Sequence, residues 1–357
     1  MKYLPLTFML RISFIAKALT FALLIGLSFR TSAFQKDILF SSEIPLDLEI
    51  ITNFKLIKGS KSDTVFFPTF IKFKNNEGKP DSVPVNLRGR GNSRRAQCFF
   101  TPLWLKIPKG ASKNSPFEGN RSLKLVLPCQ EGESFNHLIV KEYMVYKLFE
   151  QISPYYFQTR LINLTLTDRQ NKKGKTYALT AFVLEDVDNV AEYHEAKTKD
   201  SGLILPQLIN DTLALKQDFF AFMIGNTDWS NTTQHNVKML IKGDEKYIPV
   251  PYDFDYSGFV NAPYAIPYDY LPIKKVKERL YRGICRSDDL TKFVRADFLE
   301  HESQILTTLE KSRSLLPNPE FESARNYLLD FFSILKNETE FQTQLAGACQ
   351  KYGLIEN

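Results

Sequence analysis

Five short runs of apolar and β-branched residues dominate the chain between residues 83 and 185, separated by turn-forming segments and one helical segment. In the third run, alternation places Leu123, Leu125 and Leu127 on one face and Lys124 with Val126 on the other. Runs of this kind predict strands that bury one face, so the first half of the chain is expected to be rich in β-structure. The five runs are VPVNL (83–87), LWLKI (103–107), SLKLVL (122–127), RLINLTLT (160–167) and TYALTAFVLE (176–185).

The segment FNHLIVKEYMVYKLFEQI (135–152) predicts an amphipathic helix, with Leu138, Val145 and Phe149 on its apolar face. Glu142 falls on the same face, where a carboxylate is costly unless it has a partner. Either Glu142 reaches solvent at the edge of the stripe, or it forms a buried ion pair with a lysine of a neighbouring strand. Lys124 is the first candidate for that partner.

The second half of the chain has a different character. It is polar just after residue 185 and mostly helical from residue 206 onward, with amphipathic helices predicted within 290–312 and 319–337. The first helix is expected to stop at Gly225. We therefore expect a β-rich part over 34–188 and a helical part over 189–357. The apolar stripe of the first helix consists of Leu208, Leu215, Phe219 and Phe222.

The first 33 residues have the parts of a secretory signal peptide. Lys2, Arg11 and Lys17 accompany the apolar run at 18–29, and the small residues at 31–33 suit a cleavage site. That run is about half of the roughly 20 residues that a membrane-spanning helix needs, so a cleaved signal is favoured over a permanent anchor. No other segment of the sequence predicts a membrane span. We expect a bacterial protein exported to the periplasm or to the outside of the cell.

The overall charge gives little reason to expect a nucleic acid or an anionic membrane as partner. The chain carries a net charge of +6, but four of its basic residues lie in the first 33 positions, where there is no acid, so the rest stands at +2. A hydrophobic content of 43% over 357 residues supports a substantial core.

The chain has four cysteines. Cys98 and Cys129 bracket one β-rich stretch, and they form either a disulfide, which export permits, or two buried thiols. Cys285 and Cys349 lie far apart in the second half. No Cys or His spacing predicts a zinc site.

Acidic and amide residues gather around two short runs, VKMLI (237–241) and YIPVPY (247–252). These runs predict a hairpin with Asn236 at its entry and Asp253 at its exit, side by side, and Asp228 on the preceding loop faces the same point. Carboxylate and amide oxygens are the ligands that Mg²⁺ prefers, although ordinary turns use the same residues.

The order Asp228, Asn236, strand, turn, strand and Asp253 resembles the catalytic loop and metal-binding strand of protein-kinase-like folds. The sequences GNTDWS and PYDFD are most similar to the CotH-like spore-coat kinases, which are atypical kinases. The segment RGRGNSR (88–94) resembles the Arg-Gly-Asn-Ser segment of that family, and the resemblance covers roughly half of the chain. It implies a two-lobed, α+β, atypical protein-kinase-like fold, with a β-rich N-terminal lobe and a mostly helical C-terminal lobe.

The resemblance also implies roles for individual residues near the hairpin. Asp228 would orient or deprotonate the hydroxyl group that accepts a phosphoryl group. Asn236 and Asp253 would hold Mg²⁺ or Mn²⁺, and Asp255 would assist them.

For the nucleotide, the resemblance implies that Arg88 and Arg90 approach the triphosphate of ATP. Lys124 and Glu142 would form the ion pair directed at the phosphates, and Glu185 would lie at the hinge between the lobes. Two further arginines, Arg94 and Arg95, are expected instead on a solvated surface turn, and Trp104 and Trp229 are expected to serve packing.

The implied function is Mg²⁺-dependent transfer of a phosphoryl group from ATP to a hydroxyl of a protein substrate. Two other functions stay open. One is a catalytically silent protein that binds an envelope partner, and the other is a metal-dependent enzyme acting on an envelope phosphate or sugar.

Overall fold

The computed structural model describes residues 37–351, except for 61, 63, 76, 92, 171–173 and 200. Every element below belongs to one compact unit that begins at Ile38. The predicted signal peptide lies outside the described residues, as does Asn92 of the RGRGNSR segment.

Seven strands of the described region form a closed barrel in the order β1-β2-β3-β4-β5-β7-β6. Neighbours in this order are antiparallel, except that β1 and β6 run parallel from the Leu46–Ile162 pair to the Thr52–Asp168 pair and so close the barrel. Alternation decides which side chains fill it, and Leu105 and Leu123 are among those fully buried. The strands are β1 (Leu46–Thr52), β2 (Phe67–Lys74), β3 (Pro80–Gly89), β4 (Leu103–Lys106), β5 (Ser122–Val126), β6 (Thr159–Asp168) and β7 (Lys175–Glu185).

The closed barrel shows that the expected two-lobed kinase-like fold was wrong. All five strands predicted between residues 83 and 185 are present, but they belong to a barrel rather than to the sheet of a kinase N-terminal lobe. Closure depends on β1 and β2, which the sequence patterns did not reveal, and on the pairing of β1 with β6. Such a pairing joins segments far apart in the chain, and local periodicity carries no signal for it.

Nine α-helices of the described region pack beside the barrel and against one another. The longest near the barrel, α3, contacts β7 and β6 and is buried along most of its length. The region predicted as helical at 290–312 contains two helices that meet at His301. The helices are α1 (Phe54–Gly59), α2 (Ser93–Gln97), α3 (Glu133–Phe149), α4 (Val187–Tyr193), α5 (Asp211–Ile224), α6 (Asp288–Glu300), α7 (Glu302–Glu310), α8 (Asn318–Lys336) and α9 (Glu338–Phe341).

Helix α5 ends at Gly225, as its sequence predicts. Gly225 adopts a left-handed backbone with φ of 63°, and a Cβ atom built there would lie 2.1 Å from the Tyr327 hydroxyl oxygen. Leu208 falls outside the helix, in a 3₁₀ turn, and is about half exposed. The abrupt stop turns the chain into the loop that carries Asp228.

A small second sheet lies in the helical part, in the order β10-β9-β8. Strands β9 (Val237–Ile241) and β10 (Ile248–Pro251) form the predicted hairpin, and β8 (Lys197–Lys199) adds to the free edge of β9. The polar segment after Glu185 thus contains helix α4 and strand β8.

Two disulfides tie the described chain together. Cys98 bonds Cys129, with 4.5 Å between their Cα atoms, and Cys285 bonds Cys349, with 4.9 Å between theirs. Disulfides form in oxidising compartments, so both bonds are compatible with an exported protein. Among the described helices, none is both long and apolar enough to cross a membrane.

Candidate functional site

The β9–β10 hairpin brings Asn236 and Asp253 to the same end. Val237 pairs with Pro251 at the mouth of the hairpin, and the Tyr252 backbone N–H donates to the Asn236 carbonyl oxygen at 3.0 Å. Asn236 therefore enters the first strand where Asp253 leaves the second. This is the arrangement that the spacing of the two strands predicts.

Asn236 and Asp253 both have a left-handed backbone, with φ of 52° and 65°. Asn and Asp tolerate this conformation better than most residues, although it costs free energy outside glycine. The surroundings hold it in place, because the Asp253 backbone N–H donates to the hydroxyl oxygen of the buried Tyr146 at 2.9 Å. The Tyr146 ring is fixed in turn by edge contact with Phe254, 4.8 Å between centroids.

Asp228 is held in one orientation by donors on both carboxylate oxygens. His235 Nε2 lies 2.7 Å from Oδ1, and the Asn236 side-chain nitrogen donates to Oδ2 at 3.0 Å. The Tyr268 hydroxyl donates to Oδ1 at 3.0 Å. Burial, and after it the charge of Asp228, raises the pKa of Tyr268 to about 12. These contacts fix the orientation of the Asp228 carboxylate, and its Oδ1 atom faces the Tyr268 hydroxyl.

Glu142 has a different ion-pair partner from the one expected. It is buried, and its Oε2 atom lies 3.8 Å from Nη1 of Arg94, so neither the solvated position nor the Lys124 pair is found. Arg94 also faces Asp255, with 3.7 Å between Nε and Oδ2, and donates from Nη2 to the Leu127 carbonyl oxygen at 2.5 Å. The expectation that Arg94 lies on a solvated turn was wrong, because this side chain is almost fully buried.

The buried carboxyl groups of this cluster hold their protons more tightly than free ones. Burial, together with the charge of Asp253, raises the pKa of Asp255 to about 7. Burial and the charge of Asp255 likewise raise the pKa of Glu142 well above its ordinary value. The two carboxyls share one guanidinium group, so they titrate as a coupled pair.

A cationic cavity of about 270 Å³ lies beside this cluster. Cross-strand pairing places Arg88, Trp104 and Lys124 in one row across β3, β4 and β5, on the face opposite the barrel core. Among the described residues, five basic side chains line the cavity and Asp186 is the one acid in its lining. The basic residues are Arg88, Arg90, Arg95, Lys124 and Lys238.

Aromatic rings hold the two central cations of the cavity. The Arg88 guanidinium lies 4.6 Å from the centre of the Trp104 ring, and the Lys124 ammonium lies 5.0 Å from that of Tyr252. Burial and the neighbouring Arg90 charge lower the pKa of Lys124 to about 7. The Arg88 Nε atom is buried and has no hydrogen-bond acceptor among the described atoms. This crowding of positive charge favours an anion as ligand.

Glu185 does not line this cavity. Glu185 is fully buried at the end of β7. The backbone N–H of Gln158 donates to Glu185 Oε1, and the side-chain amide of Gln158 donates to Glu185 Oε2 at 3.3 Å. The next residue, Asp186, lines the cavity, accepts from the Ser122 hydroxyl and caps α4 through the Asp188 N–H. The structure therefore gives Glu185 a position in the packing of the barrel end.

Sequence patterns missed several residues of the cavity, notably Trp104, Asp186, Lys238 and Tyr252. Trp104 could have been found from the sequence, because alternation within β4 and β5 places it on the same face as Lys124 once the two strands are paired. Trp229, expected to serve packing, is buried beside Met239 in a small apolar cluster. Lys238 and Tyr252 come from the hairpin, and their approach to the barrel has no local signature.

The hairpin end offers few ligands for a metal ion. Among the described residues, no group of three or more His, Cys, Asp or Glu side chains is arranged as a metal site. The donors that remain are the Asp253 carboxylate and the Asn236 amide, whose nitrogen is committed to Asp228. Because its nitrogen donates to Asp228, the Asn236 side chain can offer only its amide oxygen to a cation. This oxygen and the Asp253 carboxylate are donors that suit Mg²⁺ or Mn²⁺. Asp255 faces Arg94 instead.

A larger cavity of about 930 Å³ is lined by β1, β2, β3, β6 and β7. Its charged residues have both signs and partly neutralise each other, as in the Lys72–Glu49 pair at 3.2 Å. Among its described lining residues, like charges do not converge as they do in the cationic cavity. The charged residues in its lining are Asp47, Glu49, Lys72, Lys74 and Asp81.

Comparison with known proteins adds no family assignment, because no protein-family model and no curated protein matches this sequence.

Proposed function

We propose that this protein is an exported phosphotransferase, in the periplasm or outside the cell, that moves the terminal phosphoryl group of ATP to a protein hydroxyl. The observation that carries the proposal is the cationic cavity, whose described lining residues include five basic side chains and one acid. Guanidinium and ammonium groups in such a cavity suit the charge of a polyphosphate chain. The two disulfides support export.

Membership of the CotH-like kinases forms part of the same proposal. It rests on the motifs at 88–94 and 225–258 and on the site that those motifs build, and it does not rest on the barrel. Arg88 and Arg90 of the first motif line the cationic cavity, and Asp228, Asn236 and Asp253 of the second gather at the hairpin.

In this mechanism Asp228 accepts the proton of the acceptor hydroxyl. Its Oδ1 atom already receives a hydroxyl hydrogen bond at 3.0 Å, which lies within the range that proton transfer requires. His235 and Asn236 fix the carboxylate, so little reorganisation is needed when an acceptor arrives. Arg88, Arg90 and Lys124 hold the phosphates and neutralise their charge.

Asn236 and Asp253 would hold Mg²⁺ or Mn²⁺ through the amide oxygen and the carboxylate. When bound, the cation would neutralise charge on the transferring phosphoryl group. Arg94 helps to position the segment from Asp253 to Asp255, because its Nε atom lies 3.7 Å from Asp255 Oδ2.

A second candidate is a catalytically silent protein that binds a phosphorylated envelope ligand. One observation favours it: among the described residues, Lys124 has no carboxylate within ion-pair distance, and Glu142 is committed to Arg94. Under this function, substitution of Asp228 leaves ligand binding intact.

The first experiment is thermal unfolding of the purified protein with ATP and Mg²⁺ or Mn²⁺. A ligand that binds only the folded state stabilises it by about 2.7 kcal/mol at about a hundred times its dissociation constant. We expect a nucleotide-dependent rise in the unfolding midpoint that Lys124→Met abolishes and that Asp253→Ala makes independent of metal. Lys106→Met is the matched control, since Lys106 is an exposed lysine of the neighbouring strand that does not line the cavity.

Transfer is then measured as formation of ADP and of a phosphorylated acceptor. Binding without transfer in any condition supports the silent protein. No stabilisation by nucleotide, with inorganic tripolyphosphate equally inert, overturns both functions.

A further inference from the structure

The segment between residues 262 and 280 brings a tyrosine into hydrogen-bond contact with Asp228. The Tyr268 hydroxyl donates to the Asp228 Oδ1 atom at 3.0 Å, and its side chain is 46% exposed. The hydroxyl comes from the same chain, but its position relative to the carboxylate is the one that an acceptor hydroxyl needs.

The tyrosine ring is held in this position. Tyr268 stacks on Tyr270 with 5.5 Å between ring centroids and 15° between ring planes. Tyr270 is 71% exposed, and among the described side chains the hydroxyl that reaches Asp228 is that of Tyr268 alone. The two tyrosines therefore share an environment but differ in their contact with the carboxylate.

We propose that Tyr268 is a phosphoryl acceptor within its own chain, and hence a modification site. The inference rests on the proposed phosphotransferase function. The Tyr268 oxygen forms a bond to the terminal phosphorus of a nucleoside triphosphate. The bond from that phosphorus to the bridging oxygen breaks, the nucleoside diphosphate leaves with the electron pair, and the phenolic proton passes to Asp228.

Modification would free Asp228 for another acceptor. A phosphate on Tyr268 carries negative charge next to the Asp228 carboxylate, so the two groups repel each other and their hydrogen bond is lost. The unmodified tyrosine occupies Oδ1, the atom that an external hydroxyl would need. Phosphorylation of Tyr268 is then the first turnover, and it precedes transfer to a protein substrate.

The test is incubation of the purified full chain with ATP and Mg²⁺ or Mn²⁺, followed by intact mass and peptide mapping. We expect one added phosphoryl group on Tyr268, present in Tyr270→Phe and absent in Tyr268→Phe. Thermal unfolding of both variants without nucleotide verifies that each is folded. The stoichiometry should not depend on protein concentration, because the acceptor lies in the same chain.

The possible results separate the inference from the function on which it rests. Nucleotide binding with ADP formation, or with phosphate on another residue but none on Tyr268, overturns the inference and leaves the phosphotransferase standing. Loss of modification at low protein concentration overturns transfer within the chain. Absence of ADP formation, with or without nucleotide binding, overturns the phosphotransferase and the inference together.

Discussion

Arg94 and Glu142 face each other in the protein interior, with 3.8 Å between Nη1 and Oε2. Asp255 lies against the same guanidinium, 3.7 Å from its Nε atom. One cation from α2 thus stands between a carboxyl group of α3 and one from the segment after β10. This contact links the barrel side of the molecule to the hairpin that carries Asp253.

Removal of the shared cation should destabilise the protein strongly. Arg94→Met leaves Glu142 and Asp255 buried without a counter-charge, and we expect a loss of about 3–5 kcal/mol in the free energy of unfolding. The double variant Arg94→Met, Glu142→Gln should lose less than the sum of its single variants, measured by denaturant unfolding.

The matched control for this prediction is Arg95→Met on the same helix. Arg95 donates to the Lys58 carbonyl oxygen at 3.3 Å and is only partly buried, so its loss should cost less than about 1 kcal/mol. Equal losses for the two arginines would contradict the role given to Arg94.

Binding of phosphate ligands should weaken as the pH rises through about 7. The pKa of Lys124 is lowered to about 7 by burial and by Arg90, so the free protein loses this charge near neutrality. An anion binds the charged form better, and its affinity therefore falls above that pH. Isothermal titration with ATP or tripolyphosphate from pH 6 to 9 measures the trend.

Lys124→Arg is the control for this pH dependence. Arginine stays protonated throughout this range, so the variant should retain binding at high pH. Any pH dependence of its affinity should then come from the titration of the ligand itself. A wild-type affinity that changes with pH no more than that of Lys124→Arg would show that Lys124 does not contact the ligand.

Asp218 should make the protein less stable as the pH rises from about 4 to about 6. Burial raises the pKa of Asp218 to about 6, against the opposing effect of Arg286 at 2.9 Å. The folded state therefore binds its proton more tightly than the unfolded state, so this contribution is present below pH 4 and is lost by about pH 6. The loss amounts to about 3 kcal/mol at most.

The measurement compares the free energy of unfolding of wild type and Asp218→Asn across pH 4 to 7. The difference between the two proteins should change with pH in this window, because asparagine does not titrate. A difference that stays constant would mean that Asp218 titrates at its ordinary value.

The two disulfides should contribute similarly to stability but differently to ligand binding. They close loops of 31 and 64 residues, for which the loss of unfolded-chain entropy predicts about 4 kcal/mol each. Cys98 follows the helix of Arg94, and its backbone N–H donates to the Arg94 carbonyl oxygen at 2.9 Å. Replacing Cys98 and Cys129 by serine should therefore also weaken nucleotide binding.

Replacing Cys285 and Cys349 by serine is the comparison. That bond lies at the C-terminal end of the described chain, so its loss should lower the unfolding midpoint while nucleotide affinity is retained. Equal effects of the two pairs on affinity would show that the Cys98–Cys129 bond does not support the cavity.

Most of the local elements follow from patterns in the amino-acid sequence. Runs of apolar and β-branched residues identified the strands from β3 to β7, an amphipathic stripe identified α3, and Gly225 marked the end of α5. The β9–β10 hairpin followed from two apolar runs around a turn, and its ends carry Asn236 and Asp253 as expected. These features depend on residues close together in the chain, where period and turn chemistry are visible.

The closed barrel and the partners of the buried charges depend instead on contacts between distant parts of the chain. Closure needs β1 beside β6, and Glu142 meets Arg94 rather than Lys124 because α2 folds under the end of β5, where Arg94 reaches the Leu127 carbonyl. The meeting of Tyr268 with Asp228 likewise joins two separate loops. Such contacts are selected by packing and by the cost of burying an unpaired charge, and neither leaves a periodic signal in the sequence.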